Sequence, residues 1–396
     1  MINEKLSVGL LLGVALVSTP AAAHEARKLS IGVHAAVEHD TNVARSSEAQ
    51  AALRGVTQAD TYFTPSLSID YTAPIGRQSV FLSGTAGYAF YDKNKDLNRE
   101  RVDLLGGGVV GLGPCAVTPT GQYARGIRQI DDSVLESDVR NVQENKRVNL
   151  GVACSRPTGL GVTLSAGKSW TDNSEAILFD SDYETTSFSG GVTYTRPALG
   201  KLTAFGSYGK TEYPNRLLSS GYELNSYGLS LERQLGARIQ GEATVAYTLV
   251  DQLTPIPGAD DSTYGSTTYS GAVSFRASNR LMLQASFGRN IKPSSGLDQS
   301  YDKATDYGVS ADYDLGTRFK FSLGARHVER DSEGALIVLP FALTSSKTTN
   351  VFGSVRYKQS ERLSFTLRAS REERTTNVPQ FDYTSNRFGI SADATF

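Results

Sequence analysis

Few residues in this chain are of a type that does chemistry. It has four histidines and two cysteines in 396 residues. An imidazole beside a carboxylate is a candidate general base, and His39-Asp40 is such a pair. His34 and His327 are available to a serine nucleophile, but both fall in alternating runs where a histidine lines a wall. Gly167-Lys168-Ser169 and Gly209-Lys210-Thr211 resemble the ends of phosphate-binding loops. The glycine needed five residues earlier is Val162 in one and Ala204 in the other, and neither motif opens a helix. Gly106-Gly107-Gly108 reads as a bend or a crowded strand. Glycoside hydrolysis needs two carboxylates at a set separation, and the sequence offers too many pairs to choose one. Histidine and cysteine are too scarce for a zinc or redox centre. The acidic residues Asp131, Asp132, Asp260 and Asp261 have a calcium-bridging character but not EF-hand spacing. The chain therefore reads as a non-enzyme, with no metal and no cofactor expected.

Basic residues carry a stronger signal. Lys320, Arg326, Arg330, Arg356, Lys358, Arg362, Arg368, Arg374 and Arg387 all sit on the polar parity of alternating runs near the C-terminus. Asp306, Asp312, Asp314 and Asp393 flank them. Two readings stay open: a basic wall that guides an anionic solute, or a charge-paired lining that keeps a lumen wet. Cys115 and Cys154 lie symmetrically about the segment 129–138, so antiparallel pairing across that loop sets them opposite each other. In an oxidising compartment they should form a structural disulfide, contributing up to roughly 4 kcal/mol through loop closure.

These residues need elements to hold them, and period-2 alternation supplies them. In Val80–Phe90, the series Val80, Leu82, Ala86, Tyr88, Phe90 alternates with Ser83, Thr85 and Gly87. In Ile239–Leu249, the series Ile239, Ala243, Val245, Tyr247 alternates with Gln240, Glu242 and Thr244. Such runs are half-buried strands. Eight short turns alternate with nine longer polar loops, giving 18 strands, or 16 if one hairpin is miscounted. Even strand number, short turns on one side and long loops on the other describe a transmembrane antiparallel up-and-down β-barrel. The last strand ends at Phe396, with Phe388, Ile390, Ala392 and Ala394 on the same parity. This is the form of the C-terminal signal read by the barrel-insertion machinery. Loop 41–58 contains Ser46–Arg54, which can make a helical turn, and 335–343 is unusually apolar for a loop.

Composition agrees. Apolar residues are 39 %, glycine is 38 of 396, and tyrosine (19) and phenylalanine (16) supply most aromatics. A mean hydropathy of −0.28 excludes a helical membrane protein. Forty basic against 41 acidic residues give no field for nucleic acid. Residues 1–23 read as a signal peptide: Lys5, the apolar stretch Leu6–Val17, then Ala21-Ala22-Ala23. Residues 24–396 would then be the barrel, placed in the bacterial outer membrane among its lipids and lipopolysaccharide.

The first strand and its loop read Val37-Glu38-His39-Asp40-Thr41-Asn42-Val43-Ala44-Arg45. This resembles the Tyr-Asp-x-Asn-Val-x-Arg opening of the β-barrel porin-2 family, with His39 in place of the tyrosine. The resemblance makes Asp40, Asn42 and Arg45 motif positions, suited to ordering the first loop by side-chain-to-backbone bonds. It implies a conduit or accessory for exopolysaccharide secretion, with anionic polysaccharide and periplasmic polysaccharide-export proteins as partners. The residues by themselves equally allow a general or anion-preferring diffusion porin, or a structural or adhesive barrel with a closed lumen.

Overall fold

The computed structural model describes residues 27–127, 141–216, 220–254, 263–293, 301–333 and 343–396. The signal segment 1–23, the acidic pairs at 131–132 and 260–261, and most of the apolar loop 335–343 lie outside these residues.

Eighteen strands follow one another in chain order. They are β1 (Lys28–Asp40), β2 (Asp60–Ile75), β3 (Gln78–Tyr91), β4 (Arg99–Leu112), β5 (Cys115–Ile127) and β6 (Val142–Cys154). Next come β7 (Gly159–Asn173), β8 (Tyr183–Arg196), β9 (Gly200–Glu212), β10 (Gly221–Leu235), β11 (Ile239–Gln252) and β12 (Thr263–Arg276). The last six are β13 (Leu281–Pro293), β14 (Tyr301–Leu315), β15 (Phe319–Glu333), β16 (Ser345–Lys358), β17 (Leu363–Thr376) and β18 (Tyr383–Thr395). Each pairs antiparallel with its neighbours in sequence, and β1 pairs with β18. The sheet is a closed barrel. Closure is what lipid demands, since an open edge would leave backbone groups without partners. The larger of the two expected strand counts is the correct one.

The short connections are the eight expected. Several depend on a glycine: Gly76, Gly113, Gly236 and Gly316 take φ values of 62–66°, where a side chain is strained. The opposite ends carry the long loops. The first holds the expected helical turn as α1 (Glu48–Leu53), capped by the Ser47 hydroxyl.

One face of nearly every strand is apolar and exposed: Leu67, Leu150, Leu164, Val192, Leu229, Val245, Val309, Leu323, Leu367 and Ile390. Their alternate neighbours are Ser, Thr, Asn, Gly and charged residues. In water such a belt would be an aggregation surface; around a closed barrel it is the lipid-facing band. Tyr88, Phe90, Tyr227, Tyr247 and Tyr307 stand on the same face towards its long-loop end, as interfacial aromatics do. Gly107 marks crowding on the inner face. A Cβ there would meet the Phe81 ring and the Pro119 carbonyl at 2.7 Å.

Candidate functional site

The register assigns each charged residue to a face. Lys320 pairs with Arg356, Arg326 with Asn350 and Arg330 with Ser346. Ser354 pairs with Arg368, Thr348 with Arg374 and Lys358 with Ser364, and Ser370 with Arg387. All of these lie on the parity opposite to Leu323, Val351, Leu367 and Ile390, so they face the lumen. Eight of the nine basic candidates therefore share one inner wall on β15–β18, where the inward acids are Glu372 and Asp393. The ninth, Arg362, does not. It falls in the turn 359–362, where the Ser360 hydroxyl accepts from its backbone N–H. The serine's local bond closes the turn there and starts β17 one residue later.

Part of this wall is neutralised. Lys320 lies 3.3 Å from Asp312 on β14, and Arg387 Nε lies 3.4 Å from Asp40. Arg374 is buried. Arg356 Nε donates to Thr366 Oγ1 at 3.5 Å. Asp302, Asp306, Asp312 and Asp314 share the inner parity of β14, next to the basic wall. The wall is thus strongly basic, and its flank is paired.

Across the lumen the lining changes character. The inner parity of β7–β12 is dominated by hydroxyls that bond across the strands. Ser165 and Ser189 are 2.7 Å apart, Thr185 and Thr211 2.9 Å, and Thr193 and Thr203 3.0 Å. Ser226 and Thr248 are 2.8 Å apart, and Thr248 and Thr268 3.2 Å. Such pairs satisfy the hydroxyls locally, so this side is polar with few charges: Lys201, Glu232, Glu242 and Arg276 share its inner parity near the short turns, two of each sign, with Lys201 3.5 Å from Glu232. The pattern was present in the sequence, as serine and threonine recurring on one parity of six consecutive strands, and sequence reasoning passed over it.

The motif residues form a second cluster at the β1–β18 seam. Asp40 is 2 % exposed and Arg45 is 8 %. Arg45 grips the carboxylate with both terminal nitrogens, at 2.7 and 3.2 Å. It also donates to Ser385 Oγ at 2.9 Å and to the Asn42 carbonyl, and lies 3.4 Å from Glu372. Asp40 further accepts from Ser385 Oγ and the Asn42 N–H. Asn42 Nδ2 donates to the Ser46 carbonyl at 2.9 Å. Burial opposes the Arg45 charge, but the hydrogen-bonded Asp40 outweighs it and holds the guanidinium above its usual pKa. Arg45 also adopts φ 49°. The cluster draws loop 41–59 in, so that Ala44, Ala51 and Val56 pack with Leu97 and with Tyr91, a residue of inner parity on β3.

Cys115 and Cys154 are opposite each other in the β5–β6 ladder and are disulfide-bonded. The three histidines among the described residues have structural partners: His34 with Asp393, His39 with Thr61, and His327 with Thr349 and Glu329. Lys168 and Lys210 lie within strands and pair with Glu184 and Glu212.

No protein-family model and no curated protein matches this chain, so the resemblance to the porin-2 family rests on its motif. Solved structures with a related outline exist. OccK2 (OpdF) of Pseudomonas aeruginosa, solved in complex with glucuronate, is 14 % identical, over 93 % of this chain and 98 % of that one, with a TM-score of 0.49. OccAB3 of Acinetobacter baumannii is 11 % identical, over 93 % and 99 %, with a TM-score of 0.48. The outer membrane protein OpdK of P. aeruginosa is 12 % identical over the same shares, also with a TM-score of 0.48. The barrel assignment stands on the strand register itself.

Proposed function

We propose that this protein is an outer-membrane diffusion channel that prefers anions. The observation that carries this reading is the excess of inward-facing Lys and Arg on β15–β18, set across the lumen from a hydroxyl-rich wall whose few charges balance. A field of one sign along one wall raises the local concentration of the opposite ion. Rows of side chains give many weak sites, which a solute can both enter and leave. An 18-stranded barrel is wide enough for an aqueous passage. The exopolysaccharide role implied by the family resemblance has no support beyond the motif. The aligned ion pairs at the seam serve the first loop rather than a polymer.

The test is conductance of the folded protein in a planar bilayer under a salt gradient. Steady single-channel steps with a reversal potential on the anion side are expected. Arg326→Glu with Arg368→Glu should move that potential towards the cation side. Absence of conductance, or a reversal potential indifferent to both substitutions, would refute the reading.

A further inference from the structure

The extracellular ends of β13 and β14 break the inside–outside rule. Lower on these strands the odd-numbered residues face lipid, as exposed Phe287, Tyr307 and Val309 show. Ile291, Tyr301 and Lys303 have the same parity, yet they are 8, 3 and 7 % exposed. What covers them is the inner face of the neighbouring stretch of wall, β10–β12. Ile291 and Tyr301 share one cluster with Tyr213, Tyr222 and Val250, and register places Tyr222 and Val250 on the inner parity of β10 and β11. The Tyr222 and Tyr301 rings are 5.9 Å apart. Lys303 Nζ donates to Tyr264 Oη at 2.6 Å and lies 3.9 Å from the centre of that ring; Tyr264 is of inner parity on β12.

An outward side chain can touch an inner face only where its strand has passed inside that wall. The ladder shows the place. β12 and β13 pair from Arg276–Met282 up to Tyr269–Arg289 and then part. Above that point β12 stays paired to β11 as far as Thr263, and β13 to β14 as far as Pro293. Two intact hairpins have separated, and one has slid behind the other. The parting starts at Arg289, the first charged outward residue above Phe287. That is where the wall leaves the hydrocarbon, the level above which unpaired backbone can be satisfied by water.

We infer that this self-overlap of the wall is the size filter of the channel. The inference rests on the channel reading above. The tops of β13 and β14 occupy the lumen on the β10–β12 side and leave the passage between themselves and the basic wall. β14 stays paired to β15 up to Tyr301–Glu333, so Arg326 and Arg330, laddered with Gly308 and Ala304, stand where the overlap joins the basic wall and border that passage. Tyr213, Tyr222 and Tyr264 anchor the overlap. Interlocked aromatic rings and a cation held over a ring make it a fixed partition.

The decisive variant is Tyr222→Ala with Tyr301→Ala, compared with wild type and with Tyr301→Phe in planar bilayers. Folding is checked by heat-modifiable electrophoretic mobility. The double variant should raise single-channel conductance roughly twofold or more and admit larger neutral polymers, while ion preference keeps its sign. Tyr301→Phe should behave as wild type. A folded double variant with wild-type conductance and polymer cut-off overturns the inference and leaves the channel reading standing. A silent wild type with a conducting double variant supports the overlap but shows that it seals the pore. If neither conducts, the channel reading fails and the filter with it. A second variant does not depend on loosening the fold: Tyr264→Cys with Lys303→Cys, treated with a short bis-maleimide. The native cysteines are bonded to each other and do not compete. Efficient cross-linking in the folded barrel is expected, and its failure would overturn the overlap.

Discussion

Replacing Arg45 by alanine should release the first loop while the barrel stays folded. Arg45 makes two bonds to Asp40 and one each to Ser385 and the Asn42 carbonyl, in a pocket where both charges are buried. Removing one partner of a buried ion pair costs about 3–5 kcal/mol, because the other charge is left uncompensated. Asp40 keeps its bonds to Ser385 and the Asn42 N–H, and Arg387 stays 3.4 Å away. The cost should therefore fall near the lower end, about 3 kcal/mol. At about 1.4 kcal/mol per decade, that raises the open fraction of the loop by roughly two orders of magnitude. Hydrogen exchange on the folded barrel reads this directly. The Val43 amide bonds to the Gln58 carbonyl, Arg54 to Gln50 and Val56 to Ala51. These three should exchange roughly a hundredfold faster, with mid-strand amides unchanged. Asp40→Ala combined with Arg45→Ala should be milder than Arg45→Ala alone, since no charge is then stranded. Wild-type exchange at those amides in Arg45→Ala, or a double variant worse than the single, would refute the account.

Cys115→Ser with Cys154→Ser should lower the urea midpoint of unfolding. The 39-residue separation of the two cysteines sets an upper estimate of about 4 kcal/mol, and conductance should not change. Leu150→Arg turns a charge into lipid near the middle of β6 and should cost about 2–4 kcal/mol. Asn149→Arg, one residue earlier and facing the lumen, should fold with near wild-type yield. Equal folding yields for these two would contradict the register.

The architecture was legible because a barrel writes itself in period two. A one-residue slip would turn Arg326 or Arg368 into lipid and Leu323 or Leu367 into the lumen, so faces could be read from parity alone. The Cys115–Cys154 pairing followed from the same symmetry about a loop. Arg362 was misassigned because parity continues formally through a turn, whereas the Ser360 bond ends the strand. The overlap at β12–β13 was hidden for a deeper reason. Ile291, Tyr301 and Lys303 carry the parity of lipid-facing residues, and alternation cannot report that a strand has moved bodily behind its neighbour. The hydroxyl wall was visible as composition, but its cross-strand bonds depend on register between strands, which no single strand contains.

The seam network also orders events in time. Arg45 and Asp40 bond to Ser385. Thr41 exchanges bonds with Asn386, and Ile31 and Phe396 hold each other at the other end of the same pair of strands. These partners are separated by some 340 to 365 positions in the chain. The first loop therefore cannot reach its final shape until the last strand has docked. A loop that is early in the chain is thus among the last to set, and its protection from exchange is a readout of whether the cylinder has closed.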